Sequence, residues 1–168
     1  MNDSHESHPV LDIWCDLECP DCHRAQDDLR AVGEHYGEAL EIRWRHFPLE
    51  KHTHAYAAAQ AAEEADAQGK GQEYIKALLE RTSDLTARGE AVLTELAAEL
   101  GLDVGEFESA LIDGRHLLAV DADYAEAKAI GVTGTPTYVI DGERLDGGKT
   151  QEGLRERIEE ITDRLLGR

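Results

Sequence analysis

The chain has 168 residues, which is enough for one domain with a proper hydrophobic core. Hydrophobic residues make up 41% of it, which argues against disorder, and no apolar run approaches the length of a membrane-spanning helix. The formal net charge is −19, which disfavours nucleic acid and anionic membrane surfaces as partners.

Of the 17 basic residues, 12 are Arg and 5 are Lys. An acidic excess with so little Lys fits a salt-rich cytosol, where charges are screened, and equally an ordinary acidic enzyme. Residues 1–8 are polar and lack both the basic patch and the apolar core of a secretory leader. The expectation is a cytoplasmic protein with a flexible tail over 1–8, in which His5 and His8 are solvated rather than metal-bound.

Residues 10–14, Val-Leu-Asp-Ile-Trp, read as a short buried strand. Cys15-Asp-Leu-Glu-Cys19-Pro-Asp-Cys22-His23 follows. Residues 24–36 then place Ala25, Leu29 and Val32 at helical spacing, with Gly33 or Gly37 as the stop. Residues 40–47 alternate apolar and polar, the mark of a second strand. A strand-helix-strand unit of this length predicts two parallel neighbours, with Trp14 and Trp44 in the core.

Pro48 ends the second strand, and the pattern is helical from 54 to 130. Helices are predicted over 54–68, 72–79 and 90–100. Asp103 with Glu106 forms a capping signal ahead of Phe107, Leu111 and Ile112. A last helix over 115–130 closes at Gly131. This block reads as an all-helical insertion within one domain spanning 1–168. Residues 137–140 and 143–146 then form a hairpin around Asp141-Gly142. A final helix over 151–166 carries Leu154, Ile158, Ile161 and Leu165 on one stripe, with Thr150 as its N-cap. The order β-α-β, helical block, β-β-α predicts an α/β fold with a mixed four-stranded sheet and helices on both faces.

All three cysteines fall within eight residues. An odd, clustered set points to redox or metal chemistry rather than to a stapling framework. Cys19 sits where a strand hands over to a helix N-terminus, a place that favours thiolate. Cys22 lies one helical turn on, within disulfide reach. Cys15, four residues before Cys19, reads either as a third redox thiol, pairing with Cys19 or Cys22, or as a small buried apolar side chain.

The motif Cys19-Pro20-Asp21-Cys22 after a strand, with Val132-Thr-Gly-Thr135-Pro136-Thr-Tyr before the hairpin, resembles the thioredoxin-fold superfamily. The helical insertion, and Arg45-His46-Phe47-Pro48-Leu49 followed by His54-Ala55 and an Ala-rich helix, are similar to its DsbA-like branch. The resemblance covers about residues 10–166. It implies a thioredoxin-like fold, a cis Pro136 packed beside the dithiol, and thiol:disulfide oxidoreductase activity without a cofactor. It also implies Cys19 as an exposed nucleophile and a more buried Cys22 as resolving thiol. Thr135 would offer its backbone to an extended substrate. Partners would be protein or peptide thiols and disulfides, or a small electrophile, with an unidentified electron donor or acceptor.

Two departures from the family pattern stand out. Strongly oxidising members resemble Cys-Pro-His-Cys, whereas here Asp21 puts an anion near the thiolate. That predicts a less acidic Cys19 and a less oxidising protein. Many members carry a buried acid six residues before the nucleophile, and here that position is Ile13. Asp12 beside it points to the other face of the strand, so proton transfer falls to water, Glu18, His46 or His54. His46, His52 and His54 read as strand-end and helix-start polar residues, or as a metal or pH-sensitive group. His23 reads as a surface residue.

Rival readings use the same cysteines. Cys15-x3-Cys19-x2-Cys22 matches the spacing of radical-SAM iron–sulfur enzymes, but the βα succession those enzymes need is missing. Cys15, Cys19, Cys22 and His23 could ligate zinc, at a strained geometry. A redox-silent binding module is the third alternative, against which the intact Cys19/Cys22 pair argues.

Overall fold

A computed structural model describes residues 8–148 and 150–168. Expectations for residues 1–7, including His5, lie outside that range, and His8 is exposed. The chain begins with β1 (Val10–Cys15), α1 (Pro20–Arg24), α2 (Gln26–Tyr36) and β2 (Glu41–His46). Six helices follow: α3 (Ala55–Ala67), α4 (Gly71–Leu79), α5 (Thr82–Arg88), α6 (Ala91–Glu99), α7 (Val104–Asp113) and α8 (Leu117–Ala129). It ends with β3 (Thr137–Ile140), β4 (Glu143–Asp146) and α9 (Leu154–Leu166).

The four strands form one mixed sheet in the order β2-β1-β3-β4. β1 and β2 run parallel, with Ile13 opposite Trp44 and Cys15 opposite His46. β3 runs antiparallel to β1, and β4 to β3. The β3–β4 turn has Asp141 at φ 49° and Gly142 at φ 74°, the paired positive angles that a two-residue hairpin of this hand requires.

Alternation along β1 sorts the core into two layers. Leu11, Ile13 and Cys15 face Leu29, Val32, Tyr36, Ile158 and Ile161, and that layer runs on into the helical insertion through Tyr74, Leu78, Leu96 and Phe107. Trp14 faces the other way, onto Phe47, Ala127 and Val132, so α8 covers the second face. Trp14 Nε1 donates to the Asp123 carbonyl on α8 at 3.1 Å. Trp44 is only half-buried, because β2 is an edge strand with open space on one side.

Four sequence expectations need correction. The helix after the dithiol begins at Pro20, not 24, and breaks at Ala25 into α1 and α2. Pro20 at the first helical position suits a fixed φ and a missing N–H. α5 was not predicted; Thr-Ser-Asp-Leu-Thr-Ala-Arg has a single large apolar residue, Leu85, to signal a buried face. α9 starts at Leu154 behind Gly153, at φ 77°, so Thr150 does not cap it. The Asp103 cap forms as expected, accepting from the Glu106 N–H at 3.0 Å.

Candidate active site

The topology gathers the site at one end of the sheet. The C-terminal ends of β1, β2 and β4 and the N-terminal end of β3 all lie there. Four loops therefore meet, carrying Cys19, Leu49 to Lys51, Thr135–Pro136 and Gly147–Gly148. They surround a cleft of about 790 Å³. Cys19, Asp21, Thr135 and Pro136 all line it, together with Tyr124 and Lys128 from α8.

Cys19 is the N-cap of α1, and its carbonyl accepts from the Cys22 N–H at 3.1 Å. Cys22 lies one turn on and is 2% exposed. Cys19 is itself only 4% exposed, less than the sequence expectation of an open nucleophile, and of the three thiols it alone lines the cleft. Its Sγ points to the Thr135 carbonyl at 3.9 Å, a long and weak contact even for sulfur. Thr135 Oγ1 is buried without a hydrogen-bond partner among the described residues. The Thr135–Pro136 peptide is cis.

All three thiols are free and buried. They belong to one buried core cluster, and Cys22 feels the neighbouring thiols of both Cys15 and Cys19. Among the described residues, the group whose ligand atoms all lie within 4.8 Å of one another is His46, Glu63 and Asp123, not the three cysteines. That group is already internally paired. His46 Nε2 meets Glu63 at 2.9 Å, and the Arg45 guanidinium binds Asp123 at 2.9 Å, supplying the positive charge an ion would bring.

The thiol electrostatics differ from expectation. The neighbouring Cys22 thiol, then burial, pushes Cys19 above the ordinary thiol value. Burial, then the Cys15 thiol, does the same to Cys22. Asp21 is not the main cause, since its carboxylate is ion-paired with Arg24 on the same turn. A five-residue α1 offers too short a dipole to reverse the balance.

Three residues that sequence reasoning passed over hold the site together. Asp16 is 1% exposed, and one of its oxygens accepts from the Glu18 N–H at 2.8 Å. The other meets the Leu49 N–H at 2.8 Å and His52 Nδ1 at 2.7 Å. The Asp16 carbonyl also accepts from the Cys19 N–H at 3.0 Å. One residue thus ties the turn carrying Cys19 to the loop carrying Leu49 and Lys51. Burial raises the Asp16 pKa against these hydrogen bonds. Gln151 Nε2 donates to the Asp21 carbonyl at 2.7 Å, joining α1 to the start of the C-terminal segment. Gly147 donates its N–H to the Pro136 carbonyl at 2.9 Å. The Gly147-Gly148 pair after a strand was the available signal for the last; an Asp after a strand end reads as ordinary loop.

The three clustered histidines do not converge. His46 is spent on Glu63 and His52 on Asp16, and His54 donates its backbone N–H to Glu18 at 3.1 Å. Glu18 is buried, with its second carboxylate oxygen unpartnered. His23 is exposed, as expected, with Nδ1 at 2.6 Å from the Leu79 carbonyl.

A family model described as thioredoxin matches residues 4–160. The chain belongs to the thioredoxin family. As a thioredoxin-family chain it shares its fold with a thioredoxin-like oxidoreductase from Silicibacter pomeroyi DSS-3, at TM-score 0.79 and 21% identity, over 95% of this chain and 87% of that one. It also matches alpha-DsbA1 from Wolbachia pipientis at TM-score 0.80 and 18% identity, over 96% and 89%. DsbA from Xylella fastidiosa gives TM-score 0.75 and 19% identity, over 96% and 88%. These matches bear out the α/β thioredoxin-like fold and the likeness to DsbA proteins read from the sequence. Among curated proteins, the chain is 35% identical over 141 residues to Na(+)/H(+) antiporter NhaA 1 of Mycobacterium sp. (strain KMS), covering 82% of this chain and 22% of that one. It is 37% identical over 142 residues to Na(+)/H(+) antiporter NhaA 1 of Salinispora arenicola (strain CNS-205), covering 83% and 21%. The chain thus spans about a fifth of the length of these relatives. No described helix is long and apolar enough to cross a membrane.

Proposed function

We propose that this chain is a thiol:disulfide oxidoreductase acting on protein or peptide thiols and disulfides through Cys19 and Cys22. The observation that carries the reading is the placement of Cys19. It lines a cleft opposite Thr135–Pro136, with Cys22 one turn behind it and sealed from solvent.

In the reducing direction, the Cys19 thiolate attacks one sulfur of a substrate disulfide. A mixed disulfide forms through Cys19, and the other substrate sulfur leaves as thiolate. The Cys22 thiol then gives up its proton and attacks Cys19 Sγ. That releases the second substrate thiolate and leaves a Cys19–Cys22 disulfide, two electrons having passed to the substrate. Oxidation of a substrate dithiol runs the same steps backwards. A separate thiol or disulfide partner resets the pair, and no cofactor takes part. Thr135 offers backbone to an extended substrate beside the nucleophile. Pro136, which has no N–H, lines the cleft beside it. Cys15, at the end of β1 and buried in the core cluster, acts as a core side chain.

A strong oxidant owes its potential to a stabilised thiolate. Here burial and a neighbouring thiol disfavour that thiolate, which supports a less oxidising protein. A Cys22→Ser variant mixed with a peptide disulfide is expected to accumulate one peptide per chain on Cys19, seen by intact and peptide mass. Exchange that survives Cys19→Ser would overturn the reading.

A further inference from the structure

We propose that the cleft selects substrates carrying acidic residues next to the reacting cysteine, through Lys51 and Lys128. The inference rests on the thiol-exchange reading above.

Five charged side chains line the cleft: Asp21, Glu50, Lys51, Lys128 and Asp146. Two of the carboxylates are neutralised locally. Asp21 pairs with Arg24, and Asp146 with Arg144 at 3.3 Å. Among the described residues, Lys51 and Lys128 have no carboxylate within salt-bridge distance, and Glu50 has no basic group within it. Two ammonium groups therefore stand against one carboxylate, in a chain of net charge −19. Lys residues number only five in the whole sequence, so two at this one cleft is a concentration.

The placement of Lys128 follows from its helix. α8 carries three carboxylates, and each is turned to another element. Asp121 accepts from Tyr56, Asp123 binds Arg45 and the His46 N–H, and Glu126 pairs with Arg45. Lys128 instead lies over the Tyr124 ring at 5.5 Å and the Phe47 ring at 5.8 Å, the two rings being stacked at 4.8 Å. Aromatic faces attract a cation without discharging it, so the ammonium stays available at the cleft wall. Lys51 sits on the loop that Asp16 pins through Leu49 and His52. Both cations therefore belong to the β2 and α8 side of the cleft, and the paired acids to the α1 and β4 side. A substrate lying across Cys19 meets a net positive charge on the first side, where Glu50 offsets only one of the two cations.

Three peptides test this. Each carries one intramolecular disulfide, flanked by Glu, Gln or Lys, and each is mixed with the fully reduced wild-type chain. The rate of mixed-disulfide formation is followed at low salt and at 1 M salt. Net charge alone gives the Lys peptide the advantage, because a strongly acidic protein attracts cations. The cleft predicts the opposite order, Glu over Gln over Lys, with Glu over Lys by about tenfold at low salt. At 1 M salt, where the screening length is about 3 Å, the ratio is expected to fall towards one. Lys51→Gln with Lys128→Gln is expected to shrink the low-salt ratio to about twofold or reverse it, with far-UV circular dichroism checking the fold. Equal rates, a faster Lys peptide, or a Glu preference that survives in the double variant would each overturn the inference. If none of the peptides reacts, the thiol-exchange reading fails, and the inference with it.

Discussion

At the scale of single residues, Cys19 and Asp16 define the chemistry in opposite ways. Cys19 is a thiol held in a poor environment for charge, with a second thiol behind it and little exposure. Asp16 is a charged group kept in a poor environment because three donors hold it there, and it fixes the loop geometry in return. The raised Cys19 pKa has a direct consequence. Alkylation by iodoacetamide needs the thiolate, so its rate at Cys19 is expected to be low at pH 7 and to climb through the ordinary thiol value of 9.0 without levelling off below it. Peptide-resolved alkylation across pH 5 to 10 checks this. A plateau reached by pH 6 would mean an acidic thiol and a strongly oxidising protein. The motif itself was legible in the sequence; the reason for its weak acidity was not. Asp21 suggested like-charge repulsion, and the structure instead pairs Asp21 with Arg24 and assigns the effect to Cys22 and burial.

At the scale of elements, the parts with local rules were readable and those governed by tertiary contact were not. The Asp141-Gly142 hairpin and the Asp103 cap follow from φ preference and side-chain hydrogen bonding within a few residues. The α1–α2 break and the late start of α9 have no such local signal, and the contact that joins the two regions, Gln151 reaching across to the Asp21 carbonyl, is distant in sequence. Gly147 belongs with these. A Cβ there would lie 2.7 Å from the Pro136 carbonyl oxygen and 2.9 Å from Pro136 Cγ, so the loop after β4 can sit against Pro136 only with glycine in place. Gly147→Ala is expected to cost roughly 1–3 kcal/mol, by overpacking, and to slow disulfide exchange by displacing Pro136. Gly142→Ala provides the comparison. It sits at φ 74° in open space on the hairpin turn, so it is expected to cost about 1–2 kcal/mol with exchange per folded molecule intact. Chemical denaturation with exchange rates on both variants separates the two effects. Equal exchange rates for both would show that the Gly147 contact does not position the site.

At the scale of the whole molecule, the site is a product of topology. One crossover and one hairpin bring four loops to the same sheet end, which is why Cys19, Lys51, Pro136 and Gly147 meet although they span most of the sequence. The two ends of that arrangement, the dithiol and the Thr-Pro, were legible because each is a compact motif. The lysines and the Asp16 hub were not, because nothing local distinguishes them from surface or loop residues. The central claim is that Cys19 and Cys22 form one reversible redox couple while Cys15 remains a core thiol. Thiol trapping with mass readout across a glutathione redox series, on the intact chain, tests it most directly. The expected result is a single two-electron step that oxidises Cys19 and Cys22 together, leaves Cys15 reduced, and has a midpoint more reducing than the about −120 mV of a strong dithiol oxidant. A step that consumes Cys15, or a chain in which no disulfide forms at any poise, would contradict the account.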